Sequence, residues 1–305
     1  MHRSNEPGMQ FVLRKRACAI AIACCSILTL IAASVDAAEM NSYCPDSTPE
    51  VTIKTDILTV LTLNASHGRK TAWNQMLVSK KRTYRNLNLI ASLLNESNAD
   101  IVALQEADAP SRWSGKFDHV DFLRDNTEYR CSLMGRHADT WLFTFGTALL
   151  SRVRMSNVDS VSFPATPPTT SKGFVKTSIS WDVRGHRVPV TIVSVHLDFS
   201  RKSVRDRQIG ILIEELKDTE SPLIVMGDFN SRWDQKRSHI QQLAQALELK
   251  AYEPQNDLLG TYKKTDGKRL DWILVSHDLT FSRYEVLPDI VSDHLAVYAE
   301  LSLTL

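Results

Sequence analysis

The sequence predicts an α/β fold, because apolar runs of strand length alternate along the chain with segments whose apolar residues recur at helical spacing. Residues 57–63 form the first strand-like run. The side chains of Tyr84, Leu87, Ile90 and Leu94 then fall on one face of a helix. Near the C-terminus, every second residue of 295–303 is aliphatic, which is the period of a strand with two unlike faces.

The remaining elements follow the same two patterns. Further strands are predicted at 101–104, 145–150, 173–181, 188–195 and 223–226, and a second helix face recurs within 209–216. Segment 164–173 holds three prolines and ends in glycine, so we predict a surface loop there rather than a domain boundary. No internal repeat or low-complexity block interrupts the chain, and its length suits one sizeable domain.

The N-terminal segment reads as a signal peptide. Arg14, Lys15 and Arg16 form a basic region, residues 17–33 are apolar, and residues 35–37 fit a small-residue cleavage site. The apolar run is shorter than the about 20 residues that span a bilayer, which favours cleavage over a membrane anchor. We therefore expect a signal peptide at 1–37, a lead segment at 38–56 and one domain at 57–305, in a protein that is periplasmic or secreted.

Two cysteines remain once the signal peptide is removed. Cys44 and Cys131 lie outside the apolar segment that holds the other three of the five cysteines. Disulfides form and persist in exported proteins, so a Cys44–Cys131 bridge is the expectation, with two separate buried thiols as the alternative.

The charge balance gives no direct sign of a nucleic-acid binder. The whole chain has 36 basic and 35 acidic residues and a net charge of +1. Residues 1–37 contain four basic and two acidic residues, so the mature chain would carry −1. A nonspecific nucleic-acid binder usually shows a basic excess, although local patches matter more than the total.

Polar side chains with metal-binding or proton-carrying groups stand at the ends of the predicted strands. Buried polar groups are costly unless they are paired or bind something, so their position is informative. They are Asn64, Glu106, His196, Asp228, Asn230, Asp271, Asp293 and His294. In a mostly antiparallel sheet, the ends of some strands and the starts of their neighbours share one rim. A rim of carboxylate and amide oxygens beside two histidines suits a hard cation such as Mg2+ and hydrolysis at phosphorus.

The motifs LQE, VHLD, GDFN, LDWIL and SDH occur in that order along the chain. As a set they resemble the endonuclease/exonuclease/phosphatase superfamily, in particular its deoxyribonuclease I-like and sphingomyelinase-like metal-dependent hydrolases. The resemblance runs over residues 58–301. It implies a four-layer α/β/β/α sandwich, in which two mixed, mostly antiparallel sheets are flanked by helices. It makes 57–305 a catalytic domain that uses Mg2+ or Mn2+.

The resemblance also implies roles for the strand-end residues. His294 would be the general base and Asp271 its orienting partner, although Asp228 is an alternative base. The metal ligands would be Glu106, Asp228, Asp293 and Asn64. Asn230 and Asn64 would bind the phosphate, and His196 would contact the phosphate or help the leaving oxygen. On its own, Asn64 also fits a turn, and a lone histidine at a strand end also fits a structural role.

Further substrate contacts are predicted in loops beside these residues. Arg69 lies close to Asn64 in sequence and could line an anionic groove, although charged loop residues are usually just solvated. Trp113 and Phe117 follow Glu106. They could stack on a base, touch a lipid or pack in the core, and the sequence does not decide between these three interpretations.

The leading functional interpretation is an exported metal-dependent phosphodiesterase. Its partner would be a phosphoester substrate, either a lipid headgroup or a nucleic acid, with no obligate protein partner and a monomeric state. The alternatives are a secreted nuclease specifically, or a toxin-like binding member of the fold that has lost turnover. His196 stands where exonuclease III-type repair enzymes supply a tyrosine, and Thr147 stands where many nucleases show asparagine, so a repair function is disfavoured.

Overall fold

Most of the apolar runs that the sequence marks as strands become central strands of two sheets in the computed structural model. The structure describes residues 36–37, 39–46, 52–264 and 267–304. The strands are β1 (Asp36–Ala37), β2 (Glu39–Tyr43), β3 (Leu58–Asn64), β4 (Ile101–Asp108), β5 (Cys131–Asp139), β6 (Thr144–Ser151), β7 (Ser156–Ser162), β8 (Gly173–Val183), β9 (His186–His196), β10 (Leu223–Asp228), β11 (Lys250–Ala251), β12 (Asp271–Val275), β13 (Leu279–Val286) and β14 (Val297–Leu303).

Four α-helices are described, and the two longest were predicted. The helices are α1 (Lys80–Ser97), α2 (His119–Asp125), α3 (Lys202–Leu216) and α4 (His239–Ala246). Helix α1 begins where the Ser79 side chain caps the Arg82 amide, and it ends at Asn98 in a left-handed conformation. None of the helices in the described part of the chain is both long enough and apolar enough to cross a membrane.

The strands form two seven-stranded mixed sheets. The first has the order β1-β7-β8-β9-β10-β12-β11 and the second the order β13-β14-β3-β4-β6-β5-β2. Strand β9 runs parallel to β10, and β3 runs parallel to β4. The other pairs among the described strands are antiparallel, which agrees with the predicted mostly antiparallel character.

Three apolar layers hold the sheets and helices together. One cluster fills the space between the sheets, with Leu58 and Ile101 of the second sheet meeting Val175 and Ile224 of the first. A second cluster packs α1 and α2 on the outer face of the second sheet, and a third packs α3 and α4 on the first sheet. The predicted four-layer α/β/β/α sandwich is therefore confirmed.

The N-terminal part of the described chain is tied to both sheets. Strand β2 pairs with β5, and Ile53 bridges Trp181 of β8. The predicted Cys44–Cys131 disulfide is present and joins the end of β2 to the start of β5. The predicted signal peptide lies outside the described residues, except that Asp36 and Ala37 pair with β7 as β1.

The last strand begins later than the alternating pattern indicates. Strand β14 starts at Val297 rather than at residue 295, because the preceding residues form a turn. Within that turn the Leu295 amide donates to the Thr261 carbonyl. The departure matters because this turn carries Asp293 and His294.

Candidate active site

Strand register brings three of the predicted site residues into one row. Strand β10 pairs with β9 so that Asp228 lies opposite His196, and with β12 so that Asp228 lies opposite Asp271. Gly227, with φ of 147°, permits the close approach of β9, since a Cβ there would lie 2.0 Å from the Val195 carbonyl oxygen. The predicted convergence of strand ends therefore follows from the pairing of three neighbouring strands.

His294 and Asp271 form a buried pair. His294 Nδ1 lies 2.8 Å from Asp271 Oδ2, and the Thr261 hydroxyl donates to the same oxygen at 2.6 Å. Burial lowers the pKa of His294, but the Asp271 and Asp228 carboxylates outweigh it and raise that pKa to about 10. The pair thus holds the imidazole in one orientation and favours its protonated form.

Asp228 is the centre of the site. Its Oδ2 accepts from Asn64 Nδ2 at 3.0 Å and lies 3.5 Å from His196 Nε2 and 3.8 Å from His294 Nε2. Its Oδ1 accepts from the Asn230 amide at 2.9 Å. Burial raises the pKa of Asp228 to about 7; His294 opposes this rise, and Asp271 adds to it. Asp228 is therefore able to exchange a proton close to neutral pH, whereas the two carboxylates keep His294 protonated there.

Glu106 projects from a bulge in β4. Its φ is 49°, a left-handed conformation that is rare outside glycine, and the pairing of β4 with β6 shifts register at this residue. The Glu106 carboxylate lies 3.2 Å from His67 Nε2, 3.5 Å from Arg69 and 4.0 Å from Lys172 Nζ. Burial alone would raise its pKa, but His67, Lys172, His196 and Arg69 together lower it, so the group is ionised.

A second carboxylate and an aromatic ring support Glu106 through His67. His67 Nδ1 lies 2.7 Å from Asp108 Oδ1, and the Trp113 indole N–H donates to Asp108 Oδ2 at 2.7 Å. The Trp113 ring also packs on Phe143, with centroids 4.5 Å apart. Trp113 is half-buried and its ring lies 4.9 Å from that of His67, whereas Phe117 stacks on Tyr84 of α1 and packs against the outer apolar cluster of the second sheet.

Asp293 faces two cations. Its Oδ2 accepts from Arg69 at 3.1 Å and from Lys264 Nζ at 2.6 Å. Burial raises the pKa of Asp293, but Arg69 and Lys264 lower it further than burial raises it. Because Arg69 contacts Glu106 as well, its guanidinium links the two carboxylates.

Sequence reasoning missed Lys172, which is buried within the site. Its Nζ lies 3.4 Å from His196 Nδ1, and burial lowers its pKa although Glu106 and Asp228 counteract that effect. Lys172 directly precedes Gly173, which pairs with His196 across β8 and β9. Only that register, which the sequence does not reveal, could have placed this loop lysine next to a site histidine.

Asn64 and Asn230 each link Asp228 to a further backbone group by hydrogen bonds. Asn64 Oδ1 accepts from the Ser66 amide at 3.0 Å, while its Nδ2 reaches Asp228. Asn230 has φ of 48°, and its Nδ2 donates to the Leu197 carbonyl at 2.9 Å. All predicted site residues on strand ends thus lie in one connected network, and Arg69 and Trp113 border it.

The donor set fits a hard divalent cation. Glu106, Asp228 and Asp293 supply carboxylate oxygens, the ligands that Mg2+ and Mn2+ accept, whereas the amide oxygen of the predicted ligand Asn64 accepts from the Ser66 amide. Among the described residues, the potential ligand atoms that lie within 4.8 Å of one another belong to Asp228, Asp271 and His294, and the predicted ligands Glu106 and Asp293 are not part of that group. Asp271 and His294 are hydrogen-bonded to each other, and Asp228 lies between this pair and the other carboxylates.

The comparisons agree with this architecture. A profile of the endonuclease/exonuclease/phosphatase family matches residues 61–294. A search of curated proteins returns no match. Among solved structures, a family protein of Leptotrichia buccalis is 17% identical, with a TM-score of 0.62 over 81% of this chain and 100% of that chain.

Two further structures show the same fold. The mannosyl-6-phosphatase of Bacteroides thetaiotaomicron is 18% identical, with a TM-score of 0.61 over 81% of this chain and 100% of that chain. The catalytic domain of human Nocturnin with bound sulfate is 18% identical, with a TM-score of 0.60 over 87% of this chain and 98% of that chain. Fold, site and profile agree, and the chain belongs to the endonuclease/exonuclease/phosphatase family of phosphoester hydrolases.

Proposed function

We propose that the protein is an exported phosphodiesterase that depends on Mg2+ or Mn2+. The observation that carries this proposal is the meeting of His294, His196 and Asn64 at one oxygen of Asp228. That arrangement combines a proton carrier, an anion-binding histidine and a metal-ligand carboxylate around one small volume. Each of these three functions assists hydrolysis at phosphorus.

Each residue has a role in the proposed reaction. Asp228, whose pKa is about 7, or His294 in its neutral form, oriented by Asp271, takes a proton from the attacking water. His196 stabilises the departing oxygen, and its pKa lies well below the usual value because of burial and Lys172, so it is neutral before substrate binds. A cation held by Glu106, Asp228, Asp293 and Asn64 would neutralise phosphoryl oxygens when bound.

The basic side chains around the carboxylates support a phosphoester substrate. Arg69, Lys172 and Lys264 all lie within 4.0 Å of a site carboxylate. In the proposed complex they contact non-bridging phosphate oxygens, with Asn230 and Trp113 bordering the bound group. Lipid headgroups and nucleic acids both present such oxygens.

A substrate panel tests the proposal. Plasmid DNA, RNA, sphingomyelin, phosphatidylcholine and phosphoinositides would each be incubated with the protein and Mg2+, alongside His294→Ala. We expect hydrolysis of at least one diester, abolition by a chelator, and strong loss in the variant. Full activity in chelator would remove the metal from the proposal, and no turnover of any substrate would leave a binding protein of the same fold.

Export by a cleaved signal peptide is the second part of the proposal. The basic and apolar order of residues 14–33 supports it, and so does the Cys44–Cys131 disulfide, since such bonds persist in oxidising compartments. Mass spectrometry of the protein recovered outside the cytoplasm should give a terminus near Ala38. An intact Met1 terminus on that material would contradict cleavage.

A further inference from the structure

A surface beside the active site combines exposed apolar side chains with basic ones. Trp73, Met76, Leu77 and Trp141 are 93%, 60%, 79% and 76% exposed. They lie on two loops, one that follows Arg69 and one that joins β5 to β6. Exposed large apolar side chains are unremarkable singly, but a group of them on neighbouring loops marks an interaction surface.

Contacts between the loops show that these side chains share one surface. Gln75 donates to the Trp113 carbonyl, which ties the first loop to the 3-10 turn Arg112–Ser114. The Arg112 guanidinium in turn lies 5.6 Å from the centre of the Trp141 ring. We call this surface the loop surface. It is formed by the apolar residues Trp73, Met76, Leu77 and Trp141 and by the basic residues Lys80, Arg112 and Lys116.

The centre of the loop surface is positively charged. A depression of about 300 Å³ within it is lined by Met76, Lys80, Arg112 and Lys116 among others. None of the described residues that line this depression is acidic. Because the whole chain is close to neutral, this concentration of cations is local.

Helix stability does not account for this charge. The first turn of α1 carries Lys80, Lys81 and Arg82 and no acidic residue. Cations at a helix N-terminus oppose the helix dipole and destabilise the helix slightly. An anionic partner would compensate for that cost.

The loop surface borders the active site. Trp113 lines the depression and also donates to Asp108, which holds His67 against Glu106. A partner seated on the loop surface would therefore lie next to the carboxylates that are proposed to bind the metal.

We propose that the loop surface docks the protein onto a lipid bilayer that contains anionic lipid. Tryptophan, leucine and methionine flanked by lysine and arginine have the chemistry of the bilayer interface, where apolar groups enter the acyl boundary and cations meet headgroups. Leu77 and Met76 offer no ring for a base to stack on, so a bilayer fits better than a nucleic acid. Docking itself does not depend on the proposed function. Its consequence does, because docking would bring headgroup phosphoesters to the proposed catalytic site.

Vesicle sedimentation tests the proposal in chelator, where turnover cannot alter the lipid. The probes are vesicles of phosphatidylcholine mixed with phosphatidylglycerol and vesicles of phosphatidylcholine alone. We expect the protein to bind the mixed vesicles more tightly. The variant Trp73→Ser/Leu77→Ser/Trp141→Ser should bind more than about tenfold more weakly. The variant Lys80→Glu/Lys116→Glu should lose about fivefold or more for each basic charge replaced.

Leu258→Ser is the matched control, because Leu258 is 91% exposed on a different loop. Its vesicle binding should equal that of the unchanged protein. The proposal is overturned if neither vesicle is bound, if the control loses as much binding as the triple variant, or if the triple variant binds normally. It is equally overturned if the loop surface instead binds single-stranded DNA and ignores vesicles.

A soluble substrate separates this proposal from the proposed function. Hydrolysis of bis(p-nitrophenyl) phosphate should be unchanged in the triple variant, because none of its three residues touches the site network. If the unchanged protein binds vesicles but hydrolyses no diester, the proposed function fails while docking stands. If it hydrolyses the diester but binds no vesicle, docking fails alone.

Discussion

At the residue scale, Asp228 has the most demanding environment in the site. It is buried, yet it faces two histidines and an asparagine through a single oxygen. A buried carboxylate is stable only when its partners satisfy it, so each partner is held in place by a further contact. Asp271 holds His294, and Lys172 lies against His196.

The His294–Asp271 pair should act as one unit. If His294 is the base, then His294→Ala and Asp271→Ala should each reduce turnover by about 10²–10⁴. The double variant should be little worse than His294→Ala, because Asp271 works only through the imidazole. Steady-state kinetics on a soluble diester provides the measurement.

A second His–Asp pair provides the matched control for that experiment. His239 Nε2 lies 2.9 Å from Asp206 Oδ1, outside the site network. Asp206→Ala should leave turnover per folded molecule unchanged. If the losses at Asp271 and His294 instead multiply independently, Asp271 has another role and Asp228 becomes the base.

Arg69 should oppose metal binding while it assists substrate binding. Its guanidinium contacts both Glu106 and Asp293, so it neutralises charge that a divalent cation needs. Arg69→Ala should therefore lower the Kd for Mn2+ by roughly threefold to tenfold, since a like charge within about 4 Å is removed. Isothermal titration with Mn2+ gives this value without reference to activity.

The same variant should bind substrate less well. We expect its KM for a diester to rise, because a cation that faces phosphate oxygens is lost. Arg82→Ala, an exposed basic residue of α1, serves as the control and should change neither quantity. An unchanged Mn2+ affinity in Arg69→Ala would show that Arg69 does not compete for the carboxylates.

At the element scale, the strand-end positions of the site follow from local patterns in the sequence. Apolar runs that end in Glu106, His196 and Asp228 indicate both the strands and the polar groups at their ends. The register that sets Asp228 beside Asp271 depends on pairing between distant segments, which one sequence does not encode locally. The position of each site residue at the end of its strand could thus be predicted from the sequence. The placement of Asp228 beside Asp271 needed the superfamily resemblance.

Other parts of the fold and site could not be predicted for definite physical reasons. Helices α2 and α4 have 7 and 8 residues, too few for a clear helical period. Lys172 lies in a loop and His67 in the short 3-10 turn Ser66–Gly68, where no helical or strand period applies. The left-handed φ of Glu106 comes from the bulge in β4, which is a property of two strands together.

The pairing of β9 with β10 depends on Gly227. An alanine Cβ would lie 2.0 Å from the Val195 carbonyl oxygen, and the φ of 147° is unfavourable for any other residue. Gly227→Ala should therefore lower the free energy of unfolding by about 3 kcal/mol or more, from backbone strain and overpacking together. Urea unfolding followed by circular dichroism measures the loss.

Gly210→Ala is the control for the glycine experiment. Gly210 lies within α3, and a Cβ there meets nothing within 4 Å. Alanine is the better helix former, so this variant should gain about 0.5–1 kcal/mol of stability. If both substitutions change the free energy of unfolding equally, the close approach of β9 and β10 does not make Gly227 necessary for stability.

At the scale of the whole molecule, the disulfide anchors the N-terminal part of the chain. Cys44 and Cys131 are 87 residues apart in sequence, so the bond closes a long loop in the unfolded chain. Its removal in Cys44→Ser/Cys131→Ser should cost about 4.6 kcal/mol of unfolding free energy by the loop-entropy relation. Denaturant unfolding with and without reductant checks this, since only the unchanged protein should respond to reductant. Identical midpoints with and without reductant would mean that the bond adds no stability.

Acid should destabilise the molecule because several histidines are buried in the neutral form. His137 lies between Ser162 and Thr147, and burial, with a smaller effect of Lys172, lowers its pKa from 6.5 to about 3. Burial also lowers the pKa of His119 and His239. At these histidines, between pH 6.5 and the folded pKa, the unfolded chain binds more protons than the folded one, so the stability that they contribute falls as pH falls. Asp228, whose pKa is raised in the folded chain, contributes in the opposite direction.

The contribution of His137 can be isolated by substitution. His137→Gln keeps a side chain that can donate and accept between Thr147 and Ser162, but it cannot take up a proton. As pH falls from 6.5 to 4.5, the unchanged protein should lose more unfolding free energy than the variant, by up to about 1.4 kcal/mol per pH unit. Carboxylates titrate alike in both proteins, so the difference between their urea midpoints reports His137 alone. Parallel pH profiles would show that His137 is protonated as readily in the folded chain as in the unfolded one.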